Sequence, residues 1–220
     1  MQARNNRELW LSLIAILCIT AIYLGMVNYL GKIPAASGFF GHLIGIVGFV
    51  LMLMTEILYS LRKRSRLARW GKMSSWLEFH IFTGIVGPYM VLLHSSWKFN
   101  GLAGITLLLT VIIVISGFIG RYIFTSIPRT ADGIEMETDL LQKQLERLEV
   151  EIRGRSGSRR RDIERLVDEQ KRLQRQVRNL ANTRRLMSLW HTVHVPIGLA
   201  LFTAAFIHSV AAFYYATLIR

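Results

Sequence analysis

The stretch "WLEFHIFTGIVGPYMVLLHS", residues 76–95, is apolar enough for a lipid interior, yet it carries a histidine near each end. An imidazole taken out of water needs a partner, because an unsatisfied buried polar group costs about 1–3 kcal/mol. A second stretch, "WHTVHVPIGLALFTAAFIHS", residues 190–209, matches the first as W-x3-H-x3-G-x9-H-S without a gap. On an α-helix, a fourteen-residue interval returns the second histidine of each stretch to within about 40° of the first, about 21 Å further along the axis. Each stretch therefore predicts a membrane-crossing helix that presents one imidazole per leaflet on a single face.

Outward from these two helices the chain keeps the same character. Of its 220 residues 52% are hydrophobic, and the apolar ones are bunched into five runs, 9–30, 39–61, 76–94, 102–125 and 186–219. A bilayer crossing takes about 20 such residues. The predicted fold class is all-α: a polytopic bundle of five transmembrane helices, with helices 1–4 in residues 1–131, a helical hairpin in 132–185 and helix 5 in 186–220. The first run follows a short basic leader with Arg4 and Arg7. Its apolar core exceeds that of a signal peptide and no small-x-small site follows directly, so it reads as a retained helix, with "IPAAS" at 33–37 as the alternative cleavage site. Cys18 is the single cysteine, which excludes an internal disulfide, a CxxCH haem attachment and an iron–sulfur cluster ligated by this chain alone.

The net charge is +13, and its position argues for topology and lipid attraction, not nucleic acid. Arg62, Lys63, Arg64, Arg66, Arg69 and Lys72 fill the link between the second and third runs, and most other basic residues lie between the fourth and fifth. The remaining two links hold Lys32 and Lys98. By the positive-inside rule the amino terminus, the second link and the long fourth segment are cytoplasmic and the carboxyl terminus is outside. The expected location is an integral membrane position, of the bacterial inner or cell membrane type. No recognised motif or stacking aromatics accompany the charge, so no nucleic-acid partner is expected.

In residues 132–185, Leu141, Leu145, Leu148 and Ile152 form one apolar seam. Ile163, Leu166, Leu173, Val177 and Leu180, with Gln170 in a seam position, form another. This predicts a cytoplasmic antiparallel coiled-coil hairpin between helices 4 and 5, turning at "GRSGSRR", residues 154–160. Its first arm is richer in acid and its second in base, so the arms attract. It reads either as a spacer or as a docking post for a partner or a second copy of the chain. One narrow seam offers little core, which favours docking.

The chemistry rests with the histidines. One span separates the two repeat helices, so they run in the same direction, and His80 is expected to face His194 on the cytoplasmic side and His94 to face His208 outside. Two opposed imidazoles are the axial set of a b-type haem, so two haems b are expected, one per pair. Between the histidines lie Gly84, Gly87 and Val91 on one helix and Gly198, Leu201 and Ala205 on the other; the small residues leave room for a flat, bulky group near the backbone. Arg121, with Arg69 and Lys72, is a candidate to neutralise propionates of the inner haem, and Lys98 of the outer one, although basic residues at helix ends also serve as snorkelling anchors. His191 reads as a propionate partner, an aid to a quinone site or an interfacial residue, the last being favoured. His42 opens the second run on the outer side, where a third haem ligand is conceivable but has no evident partner.

Paired helices each carrying H-x13-H, in the third and fifth spans, resemble the transmembrane core of the ferric reductase and NADPH oxidase superfamily of di-haem cytochromes b. The resemblance covers roughly 76–125 and 186–215 and is carried by His80, His94, His194 and His208. It implies electron flow across the membrane through two stacked haems. The chain departs from the family in having five spans where six are common, in lacking a G-x-G-x-x-G or Walker loop of a nicotinamide or nucleotide domain, and in its coiled-coil insertion. The expected function is an electron-transfer subunit of a larger redox complex, working between a cytoplasmic protein or quinone and an outer-side partner. Two other readings stay open: a non-redox membrane scaffold acting through the coiled coil, and a histidine-based metal or proton transporter. The latter would gather histidines and carboxylates near the midplane, whereas here the pairs sit towards opposite surfaces.

Overall fold

Long apolar runs interrupted by short links leave the backbone no hydrogen-bond partner but itself, so each run closes its own i to i−4 bonds as a helix. The computed structural model describes residues 6–64, 73–125, 138–154 and 160–218, and all its regular structure is helical. The order is α1 (Arg7–Leu30), α2 (Phe39–Arg64), α3 (Met73–His94), α4 (Gly101–Thr125), α5 (Thr138–Gly154) and α6 (Arg160–Leu218). Five of these helices, α1 to α4 and α6, are long and apolar enough to cross a membrane. The basic link residues Arg66, Arg69 and Lys72 and the "GRSGSRR" turn fall wholly or largely outside the described residues.

The most visible difference from expectation is at residue 185. Residues expected as the second hairpin arm and as the fifth span are one uninterrupted 59-residue helix, α6, with Pro196 inside it. A proline in a membrane helix is tolerated where neighbouring groups re-satisfy the freed carbonyl, and Pro88 sits inside α3 in the same way.

The chain divides into two compact units, residues 1–117 with 196–220, and residues 118–195. In the first unit α3 packs against both α1 and α2. Its polarity is the reverse of a water-soluble domain. Buried polar side chains include Glu8, Ser12, Thr83, Thr106 and Thr110, while Trp10, Leu17, Ile22, Leu108 and Phe206 are exposed. The hydroxyls are satisfied locally: Ser12 donates to Glu8 O at 2.7 Å and Thr110 to Thr106 O at 2.8 Å. Thr20 and Tyr89 pair their hydroxyls 2.5 Å apart, joining α1 to α3. At the end of α3, Ser96 donates to Pro34 O at 2.6 Å and ties the α3–α4 link to the α1–α2 link.

In the second unit, Gln170 Nε2 on α6 donates to Glu149 Oε1 on α5 at 3.3 Å. Leu141 is 2% exposed and Leu180 0%. Leu145, Leu148, Ile152, Leu166, Leu173 and Val177 are half-buried between them.

Candidate functional site

The two histidines of α3 are held by α2. His80 Nδ1 donates to Thr55 O at 3.0 Å and His94 Nδ1 donates to Gly41 O at 2.8 Å. A backbone carbonyl only accepts, so both rings carry a proton on Nδ1. The two acceptors are themselves fourteen residues apart on α2, the interval that separates the two donors on α3. Midway, Gly48 meets Gly87: a Cβ built on Gly48 would lie 2.9 Å from Gly87 O, and one built on Gly87 3.0 Å from Gly48 O. The helices are therefore antiparallel and in register every seven residues, with Thr55 opposite His80, Gly48 opposite Gly87 and Gly41 opposite His94.

This register changes the expected role of the α3 glycines. Gly87 is closed against Gly48 and Met52, and the space expected there for a flat group is taken by α2. A Cβ on Gly84 would meet Thr55 Cγ2 at an ordinary 3.6 Å, so Gly84 faces α2 as well. Beside it, Thr55 Oγ1 donates to Thr83 Oγ1 at 2.7 Å, which donates to Phe79 O at 2.9 Å. Glu56 lies close enough to His80 to interact with it electrostatically.

Gly45 supplies the clearance at the outer histidine. A Cβ there would lie 2.8 Å from Cγ and Nδ1 of His94, so the glycine is what lets the imidazole reach a carbonyl one turn earlier on α2. His94 also interacts electrostatically with His208 of α6 and with His42. The His42 and His94 rings are 6.3 Å apart and tilted by 36°. The exposed His42 thus has a neighbour after all.

On α6 the face bearing the histidines is the buried one. Gly198, Leu201 and Ala205 are buried and His194 and His208 half-buried, whereas Val195, Leu199, Phe206 and Ile207 are exposed. A Cβ on Gly198 would meet Ile113 Cδ1 of α4 at 3.9 Å, leaving ordinary contact room. In the second unit, His194 stacks on Trp190 with ring centroids 4.5 Å apart and 29° between planes. The His191 ring lies edge-on to the same indole at 6.2 Å and is exposed. Arg121 is half-buried near the end of α4.

Sequence reasoning gave α2 only His42, as a conceivable third ligand, and missed Gly41 and Thr55. The glycine part of the signal was present: G-x6-G at 41–48 mirrors G-x6-H at 87–94. Among the described residues, no group of three or more His, Cys, Asp or Glu side chains is placed to hold a metal ion. Comparison with known protein families, curated proteins and solved structures finds no match.

His80 and His94 have the hydrogen bonding that a metal-ligating imidazole uses. Metal-ligating imidazoles almost always donate their other ring N–H to a carbonyl or carboxylate, which fixes the tautomer and raises the basicity of the ligating nitrogen. His80 and His94 both have that arrangement. Gly45 makes room for the His94 ring, and the buried face of α6 at Leu201 and Ala205 is apolar.

Proposed function

We propose that the chain is a membrane-embedded di-haem cytochrome b, the transmembrane electron-transfer subunit of a larger redox complex. The observation that carries this reading is the matched pair of hydrogen bonds, His80 to Thr55 and His94 to Gly41, with donors and acceptors spaced by the same interval on antiparallel helices. A transport site or a scaffold has no need for two imidazoles locked in one tautomer an equal distance apart. A haem held between two imidazoles would supply reversible one-electron transfer instead of oxygen binding.

The chain's own residues do the rest. His94 and His208 would hold the outer group, a pairing that rests on the W-x3-H-x3-G-x9-H-S repeat. The pairing of His80 with His194 at the inner group rests on the W-x3-H-x3-G-x9-H-S repeat. Thr55 and Gly41 hold the α3 rings by their carbonyls. Leu201, Ala205 and Val86 exclude water from the interior, and Gly198 keeps α6 open where a bulky group lies close. Arg121 and His191 are the inner-side candidates to lie beside propionates.

The five apolar helices with inverted polarity support an integral membrane protein. The distribution of Lys and Arg supports a cytoplasmic amino terminus. The Gln170–Glu149 bond and the burial of Leu141 and Leu180 support an antiparallel coiled-coil hairpin, cytoplasmic by the same rule and suited to docking a donor protein or a second copy. The donor is then a cytoplasmic protein or a quinol, and the acceptor lies outside, or the reverse. A reduced-minus-oxidised optical spectrum of the purified protein, expressed with ample haem, tests the proposal: b-type bands at two haems per chain are expected, and their absence overturns it.

A further inference from the structure

The α3 histidines are oriented by hydrogen bonds to a neighbouring helix, and we infer that His194 on α6 is oriented by a different device, Trp190 wedged into Gly120 of α4. This rests on the reading of His194 as a haem ligand. A Cβ built on Gly120 would collide with Cζ2 and Cε2 of Trp190 and lie 2.8 Å from its Cη2. The benzo edge of the indole therefore occupies the volume of the missing side chain, and Gly120 is buried beneath it. The same indole is stacked on the His194 imidazole one turn along α6, 4.5 Å away at 29°. Stacking covers the face of the imidazole and leaves its edge, where both nitrogens lie, for a metal and a hydrogen bond. An indole that cannot move sets the plane of a ring stacked on it. Trp190 is thus a positioning residue, and Gly120 the clearance that seats it.

The plane of an axial imidazole governs the electronic structure of a low-spin ferric haem, so the arrangement has a spectroscopic readout that a merely structural contact does not move. In the full chain, two low-spin signals in the electron paramagnetic resonance spectrum are expected, one of which disappears in His194→Ala. Gly120→Ala pushes the indole off its seat and is expected to shift that signal, leave the other in place and weaken retention of that haem by roughly ten- to a hundredfold, the usual range for a lost outer-sphere support. Gly120→Ala with Trp190→Phe removes the benzo edge that collides and is expected to return the signal towards the wild-type position.

If Gly120→Ala moves neither signal or both alike, or if the double variant fails to restore it, the positioning role is wrong while the haem assignment stands. A wild-type protein with no haem signal overturns both. Should Gly120→Ala fail to accumulate, Trp190→Phe and Trp190→Ala decide: both remove the seated benzo edge, so each is expected to shift the His194-dependent signal and leave the other in place, and an unshifted signal in both overturns the inference.

Discussion

Gly45→Ala offers the sharpest test of how α2 supports the outer site. The new methyl carbon would stand 2.8 Å from Cγ and Nδ1 of His94 and 3.0 Å from Cδ2, about 0.7 Å inside a relaxed carbon–carbon contact. Cγ is the root of the ring, so the imidazole cannot simply flex its far end away. Either the ring swings, breaking the 2.8 Å bond from Nδ1 to Gly41 O, or α2 and α3 separate at a seam that Gly48 and Gly87 hold closed. The first costs about 1–3 kcal/mol for an orphaned buried donor and the second a similar amount in overpacking. At about 1.4 kcal/mol per tenfold change in binding, a cost of about 1–3 kcal/mol lowers affinity for the outer haem by about fivefold to a little over a hundredfold. Haem titration of the purified apoprotein, read as the Soret band and the haem-to-protein ratio, measures this directly. One site should weaken while the other saturates as in the wild type. Gly25→Ala, where a Cβ meets nothing within 4 Å, should leave both unchanged. Two wild-type affinities in Gly45→Ala would refute the argument that this glycine and the Gly41 carbonyl hold the ligand.

Four further outcomes follow from the same geometry. His94→Ala and His208→Ala should each remove one and the same haem, and His80→Ala and His194→Ala the other, as seen in paired difference spectra; a cross-pairing of His80 with His208 would show that the repeat helices are not parallel. Gly48→Leu should abolish accumulation of folded protein in the membrane, since even its Cβ would sit 2.9 Å from Gly87 O, whereas Gly84→Ala, meeting Thr55 at 3.6 Å, should accumulate normally. Leu180→Ala, at a fully buried position, should cost the hairpin about 2–5 kcal/mol, visible as a lower unfolding temperature by circular dichroism with haem content unchanged. In a Cys18→Ser background, Lys98→Cys should react with an impermeant maleimide in intact cells and Lys171→Cys only after permeabilisation.

The helices were legible because lipid-length apolar runs leave few alternatives: the runs at 9–30, 39–61, 76–94 and 102–125 lie within two to three residues of α1 to α4. The histidine spacing was legible because fourteen residues is close to a whole number of turns. The link from hairpin to fifth span was not, since a change from polar to apolar composition looks like a boundary even where the backbone simply continues, as α6 does through residue 185. The partners of His80 and His94 were missed for another reason. Their acceptors are main-chain carbonyls, which every residue has, so the identity of Thr55 carries no sign of the bond. At Gly41 and Gly45 the clue was an absence of side chain, and glycine in a membrane helix has many explanations. The Gly120–Trp190 contact hid in the same way: the tryptophan stood out as an interfacial anchor, and the glycine that admits it did not.

The seven-residue register between α2 and α3 has a bearing on the lipid around it. Membranes differ in hydrocarbon thickness by several ångströms, and a spanning helix accommodates the mismatch by tilting or by deforming the bilayer. Two imidazoles pinned to opposite ends of one antiparallel seam, with a glycine crossing between them, cannot slide independently. A slip of one residue would break both hydrogen bonds and drive a side chain into the crossing at once. Thinner or thicker lipid therefore changes the inclination of the pair as a whole, and the interval of about 21 Å between the two rings along the helix stays constant from one membrane to the next.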